Sequence, residues 1–363
     1  MRTAGVALRQ ELAGAVHRRD VPGLAFACGL GDRVLLHEVG GVTALGPDPS
    51  AITEDTLFDL ASLTKVVATT SAILALTDAG RLSLDEPLAV FEPDFRQGSK
   101  SKVTVRDLLR HTAGLPASRR YYLTCTTADE MRRRLRAEPL VADPGTTVLY
   151  SDLGFMLLGD LVEHITADTL DVACDKLVFT PLAMDASCFC PRDHPGTEGL
   201  SIAATEPDAD GRWTFGVVHD RNARRLGGVA GHAGLFAALS DLVHFAIWWA
   251  GTEEGPICAS GRQDAMRRQT FGLGGAYGLG WVCRGDTHDF LDDAWSVHAV
   301  THTGFTGTSI AIDPERGWWA CLLTNAVHLG RTRHRVKPLR KRVHLLAARL
   351  LAAAEREGRA GHA

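Results

Sequence analysis

The sequence lacks several patterns that define common classes of protein. No run reaches the roughly 18 apolar residues that a membrane-spanning helix requires. Charges interrupt the apolar residues of segment 1–16, which predicts an amphipathic helix instead of a signal peptide, so we expect a cytoplasmic location. There is no P-loop, no GxSxG nucleophile elbow and no HExxH zinc motif. These absences argue against membrane proteins, P-loop nucleotide enzymes and α/β-hydrolases.

Neither sign of charge dominates the chain. The chain contains 39 Lys and Arg residues and 43 Asp and Glu residues. The resulting formal net charge of −4 gives no attraction to nucleic acid. One basic cluster, at 331–337 and 340–342, precedes an apolar helical pattern. A nucleic-acid or membrane patch could use such a cluster, but a solvated loop and helix face is the favoured interpretation. The eight cysteines form no CxxC pair, so we expect free thiols in a reducing compartment.

Strand-like and helix-like segments are unevenly distributed along the 363 residues. Strand patterns lie at 23–39 and again at 277–326, whereas Pro and Gly divide helical patterns between them. We therefore predict an α+β fold, with an antiparallel sheet built from both chain ends, flanking helices and a mainly helical inserted lobe. Within this single domain, the predicted α/β lobe comprises residues 1–61 and 230–356, and the helical lobe comprises residues 62–229.

Ser62 and Lys65 precede the apolar run 66–76. If this run is helical, the two side chains lie on one face, with a hydroxyl beside an amine. Burial would lower the pKa of the lysine, as a base that acts near neutral pH requires. The pair therefore indicates an acyl-serine intermediate. The alternative is that Ser62 only caps a helix.

A second motif, Tyr150-Ser151-Asp152, lies between a Pro-Gly turn and another apolar helical pattern. We predict a loop at a helix entrance, where polar side chains can point into a cleft. Tyr150 could relay a proton to a leaving group, and the carboxylate of Asp152 could hold a lysine ammonium group. Alternatively, Asp152 is an ordinary acidic residue at a helix start.

The third segment, 301–310, contains alternating and β-branched residues that predict a strand or strand pair. Gly304 and Gly307 permit close backbone approach, and N–H groups on such an edge can form an oxyanion hole. His298 and His302 could form a metal pair, but no carboxylate-rich third ligand lies nearby, so we predict no metal.

In their order, the motifs Ser62-x-x-Lys65, Tyr150-Ser151-Asp152 and His302-Thr303-Gly304 resemble the signature elements of the serine β-lactamase and penicillin-binding-protein superfamily. Segments 111–116, 181–184, 231–236 and 277–281 resemble its class C β-lactamase-related branch, which includes esterases, DD-peptidases and acyltransferases.

This resemblance implies a role for each motif residue. Ser62 would be the nucleophile, Lys65 its base and Tyr150 a second proton carrier. The residues expected to bind and orient substrate are Asp152, His302, Thr303, Gly304 and Phe305. The backbone N–H groups of Ser62 and Phe305 would form the oxyanion hole.

Two positions depart from the family pattern, since Asp152 replaces the commoner asparagine and His302 replaces the commoner lysine. Ionised Asp152 would favour protonated Lys65, and His302 lacks a permanent charge that could bind a substrate carboxylate. Both changes weaken the case for efficient β-lactam hydrolysis.

We therefore expect a hydrolase or transacylase that acts on an ester or amide of a small metabolite. Its partners would be a small-molecule acyl donor and water, an amine or an alcohol as acceptor, without a cofactor, nucleic acid or membrane. The alternatives are a D-amino-acid peptidase, DD-carboxypeptidase or β-lactamase, and a catalytically silent ligand-binding protein. His219, Asp220 and Asn222 could line the cleft from a loop. For His111, a hydrogen-bonded place in a turn is favoured over substrate contact.

Overall fold

A computed structural model describes residues 1–46, 49–208, 210–331 and 335–360. The described strands are β1 Gly23–Leu30, β2 Arg33–Gly41, β3 Phe58–Asp59, β4 Cys188–Phe189, β5 Leu235–Ala237, β6 Val282–Cys283, β7 Val300–Thr303, β8 Ser309–Asp313 and β9 Trp318–Thr324. The described α-helices are α1 Arg2–His17, α2 Ser71–Asp78, α3 Val105–Leu109, α4 Tyr121–Thr124, α5 Ala128–Ala137, α6 Asp152–Thr166, α7 Leu170–Cys174, α8 Arg221–Arg225, α9 Leu239–Ala250, α10 Ala259–Met266 and α11 Val336–Ala360.

The main sheet has six antiparallel strands in the order β2-β1-β9-β8-β7-β6. Strands from the two chain ends meet where β1 pairs with β9, with Leu24 opposite Thr324. Both strands are buried almost throughout because both faces of the sheet are covered, which explains their nearly continuous apolar sequences. The predicted α+β fold is confirmed.

Two helical layers cover this sheet. Helices α1 and α11 contact each other and the β1 face, where Leu8, Phe26 and Trp318 share one apolar cluster. Helix α9 packs against the opposite face, where Trp249 and Trp281 belong to the larger cluster. Burying side chains of this size stabilises the fold by about 1.5–3 kcal/mol each, before the entropy cost of ordering them.

The strand pattern predicted from residue 277 is wrong in extent at its start, since up to residue 283 only Val282–Cys283 forms a strand. Gly280 has a φ of +77°, and a Cβ there would overlap the Thr70 hydroxyl. The backbone therefore turns where the alternating sequence suggested a continuous strand.

A small second sheet, ordered β3-β5-β4, lies beside the segment that carries the Ser-x-x-Lys motif. Between β3 and β5, the described chain is mainly helical and includes only the short strand β4. The lobe boundaries, residues 1–61 with 230–356 and residues 62–229, stay a prediction. No helix within the described residues is long and apolar enough to span a bilayer.

Candidate active site

Ser62 lies where β3 leads into a helix. A 3₁₀ turn, Ala61–Leu63, is followed by a π-helical segment, Lys65–Thr70, which continues directly into α2. The predicted helix is present, but its first part is a 3₁₀ turn followed by a π-helical segment instead of a regular α-helix. Ala61 has a φ of +48°, a left-handed conformation that is strained for a residue with a Cβ. This sharp turn presents the partly exposed Ser62 at the start of the helix.

The buried carboxylate of Asp59, which the sequence did not single out, holds this turn. One oxygen accepts a hydrogen bond of 2.8 Å from the Ala61 N–H, and the other accepts one of 2.6 Å from the His219 N–H. Burial raises the pKa of Asp59 above its ordinary value, although these hydrogen bonds oppose the change. Asp59 thus ties the strained turn to a distant loop.

Lys65 is fully buried and lies at the centre of a polar network. Its Nζ donates to the Ser62 hydroxyl at 3.0 Å and to the His232 carbonyl at 3.1 Å, and it lies 2.7 Å from Asp152 Oδ1. The ammonium group therefore lies between the candidate nucleophile and a carboxylate.

Burial alone would lower the pKa of Lys65, as the sequence analysis expected. The charge of Asp152 and the neighbouring Tyr150 outweigh burial and raise the pKa above its ordinary value. The expectation of a lowered pKa is therefore wrong in its net direction, while the anticipated effect of Asp152 is present. A raised pKa favours the protonated form of Lys65, and that form cannot accept the Ser62 proton.

The Tyr150-Ser151-Asp152 triplet lies at a helix entrance, as predicted. Ser151 is the N-cap of α6, and its hydroxyl accepts from the Gly154 N–H at 3.2 Å. Asp152 is the first helical residue, so its carboxylate is available for Lys65. The Lys65 Nζ lies 5.1 Å from the centroid of the Tyr150 ring.

His111 contacts this triplet and helps to fix its position. Its Nδ1 accepts from the Ser151 N–H at 3.1 Å, and its ring lies 4.5 Å from the Tyr150 ring, centroid to centroid. Burial, followed by the positive charge of Lys65, holds the pKa of His111 well below its usual range. His111 is therefore hydrogen-bonded, as predicted, and its bond helps to hold the Tyr150-Ser151-Asp152 backbone in place.

His302 lies on β7, in the predicted strand, and only 2% of its surface is exposed. Neither ring nitrogen makes a hydrogen bond of normal geometry to a described residue. Burial, reinforced by the nearby Lys65 charge, lowers the pKa of His302 to about 3. The ring is therefore neutral near pH 7 and places no positive charge at this end of the cleft.

The β7–β8 turn is fastened to the segment that precedes Ser62. The Thr306 hydroxyl donates to the Asp59 carbonyl at 2.6 Å, and the Thr308 hydroxyl donates to the Leu60 carbonyl at 3.1 Å. Gly304 is necessary at this approach, because a Cβ would overlap Thr308 Oγ1 and the Leu60 carbonyl. The structure thereby fixes the strand edge relative to the nucleophile.

Arg340, from the predicted basic cluster, also supports this turn. Its guanidinium donates to the carbonyls of Gly304 at 2.6 Å, Thr308 at 2.9 Å and Gly307 at 3.3 Å. Only 4% of Arg340 is exposed, so the prediction that the whole cluster is solvated is wrong at this position. Part of the cluster, residues 332–334, lies outside the described residues.

Two cavities meet at Ser62, Asp152 and Phe305. The first, of about 200 Å³, is lined further by Tyr150, Val282, His288, His302 and Thr303. The second, of about 150 Å³, is lined further by Ala61, Tyr122, His219, Asp220, Arg221, His232, Ala233 and Arg331.

The structure therefore brings Ser62, Lys65, Tyr150 and Asp152 together, with His302, Thr303, Gly304 and Phe305 along the neighbouring edge. His219 and Asp220 line the cleft as suggested, whereas Asn222 instead accepts a hydrogen bond from the backbone of Tyr122 in α4. The sequence analysis missed His288, whose neighbours carry no recognisable motif. It also missed Arg221, although the adjacent residues Asp220 and Asn222 were suggested to line the cleft.

The sequence and the fold are similar to those of known proteins. The chain matches the model of the Beta-lactamase family over residues 8–345. It is 31% identical over 317 residues to a putative D-alanyl-D-alanine carboxypeptidase of Escherichia coli strain K12, covering 79% of this chain and 73% of that protein. It is also 31% identical over 312 residues to an N-acetylmuramyl-L-alanine amidase of Bacillus subtilis strain 168, covering 77% and 70% of the two chains.

The chain therefore belongs to the β-lactamase family, which confirms the resemblance drawn from the three motifs. Among solved structures, EstCE1, a hydrolase with promiscuous acyltransferase activity, superposes with a TM-score of 0.74 at 19% identity. That match covers 94% of this chain and 99% of the other, and it supports the fold alone.

Proposed function

We propose that this protein is a serine hydrolase that cleaves an ester or amide through an acyl-enzyme on Ser62. The observation that carries the proposal is the hydrogen bond of 3.0 Å between the Lys65 Nζ and the Ser62 hydroxyl, within a network that includes Asp152. A serine that only capped a helix would not require a fully buried lysine, paired with a partly exposed carboxylate, beside it.

In this mechanism, the active form is the minor one in which Lys65 has lost its proton. Neutral Lys65 accepts the Ser62 proton while Oγ attacks the carbonyl carbon, and the backbone N–H groups of Ser62 and Phe305 stabilise the oxyanion. The bond to the leaving group then breaks, Tyr150 gives its proton to the leaving group, and Lys65 passes the Ser62 proton on to Tyr150. Water gives a proton to Lys65 or Tyr150 as it attacks the acyl carbon, and that proton returns to Ser62 Oγ when the acid is released.

Neutral, buried His302 bears on the choice among substrates. A DD-carboxypeptidase or β-lactamase must bind a substrate carboxylate, and His302 offers no positive charge for it. We therefore favour an ester or amide whose leaving group carries no carboxylate. The amide-cleaving relative from Bacillus subtilis supports inclusion of amides among the candidates.

Transacylation is a second candidate. An amine or alcohol could replace water as the acceptor from the same acyl-enzyme, and the partly exposed Ser62 lies between two connected cavities that could admit one. EstCE1, which has a similar fold, is described as a hydrolase with promiscuous acyltransferase activity. The cytoplasmic location stays a prediction.

Release of p-nitrophenol from p-nitrophenyl butyrate tests the proposal. We expect turnover by the natural protein and a loss of about a thousandfold or more in Ser62→Ala. The exposed Ser83, changed to Ala, is the matched control and should retain full activity. Turnover that survives in Ser62→Ala contradicts the role of Ser62. If the natural protein turns over neither short esters nor short amides, the proposal fails and a silent binding protein is favoured.

A further inference from the structure

Most charged side chains that line the two cavities have a partner within the protein. Asp152 lies 2.7 Å from Lys65, Arg331 lies 2.9 Å from Glu206, and Asp220 Oδ1 lies within hydrogen-bond distance, 2.9 Å, of His232 Nε2. These contacts occupy hydrogen-bonding groups that would otherwise be available to a substrate.

Arg221 is the exception among the described residues that line the cleft. It forms no ion pair with a described carboxylate, and its side chain is exposed at the rim of the second cavity. A guanidinium offers five donors in a fork that suits carboxylate or phosphate oxygens. The unpaired charge therefore favours a ligand with a negative group.

The position of Arg221 is fixed by the structure around it. Its guanidinium lies 5.4 Å from the centroid of the Tyr122 ring, within the range of a cation–π contact. The next residue, Asn222, accepts from the Tyr122 N–H at 3.1 Å and donates to the Arg119 carbonyl at 2.7 Å. These hydrogen bonds join the start of α8 to the start of α4, so Arg221 and the Tyr122 ring are held together at the cavity.

The location of Tyr150 determines which part of a substrate reaches Arg221. Tyr150 lines the first cavity and is not among the residues that line the second. A proton donor must lie beside the leaving group, so the first cavity takes the leaving group. The acyl chain then extends from Ser62 into the second cavity, towards Arg221.

We propose that Arg221 recognises a carboxylate or phosphate at the far end of the acyl group, so that the preferred substrates are esters or amides of anionic acyl groups. This inference rests on the proposed function and adds the substrate class. It also agrees with neutral His302, because the cleft then offers its free positive charge on the acyl side alone.

Two esters with acyl chains of equal length test the inference. Mono-p-nitrophenyl adipate carries a terminal carboxylate, and p-nitrophenyl hexanoate does not. We expect the natural protein to show about a tenfold higher kcat/KM for the adipate ester, the effect of one charged hydrogen bond at a partly exposed site. Screening should reduce this preference as the salt concentration increases.

In Arg221→Ala the preference should disappear, and in Arg221→Glu it should reverse. Arg225→Ala is the matched control, because Arg225 is an exposed arginine on the same short helix and does not line either cavity. The thermal unfolding midpoint of Arg221→Ala should stay close to that of the natural protein, which shows that the variant is folded.

The inference is overturned if the preference for the adipate ester persists in Arg221→Ala, or if the natural protein shows no such preference. In either case, turnover that depends on Ser62 still supports the proposed function. A third ester, the hexanoate of 4-hydroxybenzoate, places the carboxylate on the leaving group. If Arg221 governs the turnover of this ester instead, the assignment of the two cavities is reversed and the inference fails. Loss of all turnover in the natural protein would instead refute the proposed function.

Discussion

Replacing Asp152 by asparagine should move the pH dependence of catalysis to lower pH. Asp152 Oδ1 lies 2.7 Å from a fully buried Lys65 Nζ, and its charge holds the lysine pKa above its ordinary value against the effect of burial. Lys65 must lose its proton to act as a base. In the natural protein kcat/KM should therefore increase with pH through the alkaline range.

Asparagine removes the charge and keeps the shape, so burial becomes the dominant influence on Lys65. An opposite charge at this distance shifts a pKa by roughly 1–3 units, which corresponds to about 1.4–4 kcal/mol. The side chain of Asp152 is 29% exposed, which favours the lower half of that range. The rising limb of the Asp152→Asn profile should move to lower pH by at least about one unit, and activity near pH 7 should increase.

The measurement is kcat/KM for p-nitrophenyl butyrate across pH, with the uncatalysed rate subtracted. Asp152→Glu keeps the charge and serves as the control, whose limb should stay close to that of the natural protein. A limb that does not move in Asp152→Asn, or moves to higher pH, would refute the assignment of Lys65 as the base.

Three further outcomes are expected. Arg340→Met removes three hydrogen bonds to the β7–β8 turn, so kcat should fall about tenfold to a hundredfold with little change in KM. Arg340→Lys should restore part of the lost kcat. An unchanged kcat in Arg340→Met would contradict a positioning role. Gly304→Ala forces a Cβ against the Thr308 hydroxyl and should lower the free energy of unfolding, measured by heat or denaturant, by about 1–3 kcal/mol. An unchanged free energy of unfolding would show that the turn adapts to the Cβ. Of the eight free cysteines, Cys190 and Cys258 are partly exposed, so a thiol reagent should modify about two sites in the native protein and eight after denaturation.

The sequence predicted the parts of the site that depend on residue type and local spacing. Ser62 and Lys65 could be recognised because a helical spacing places a hydroxyl beside an amine, and β7 could be recognised from its alternation. The α+β arrangement followed from strand patterns at both chain ends. These features depend on short-range order, which a single sequence contains.

The remaining features depend on contacts between distant segments. Arg340 reaches Gly304 across 36 residues, and nothing in the basic cluster distinguished this buried arginine from its solvated neighbours. The pKa of Lys65 is a balance between burial and the charge of Asp152, and only the distance between them shows which effect is larger. Asp59 was missed because its two backbone partners lie in different segments.

The central claim is that Ser62 carries the acyl group during turnover. Mass spectrometry of the intact protein after treatment with a fluorophosphonate, followed by peptide mapping, tests it most directly. We expect one adduct per chain, located on Ser62 and absent from Ser62→Ala. An adduct on another residue, or an unmodified natural protein that still turns over esters, would contradict it.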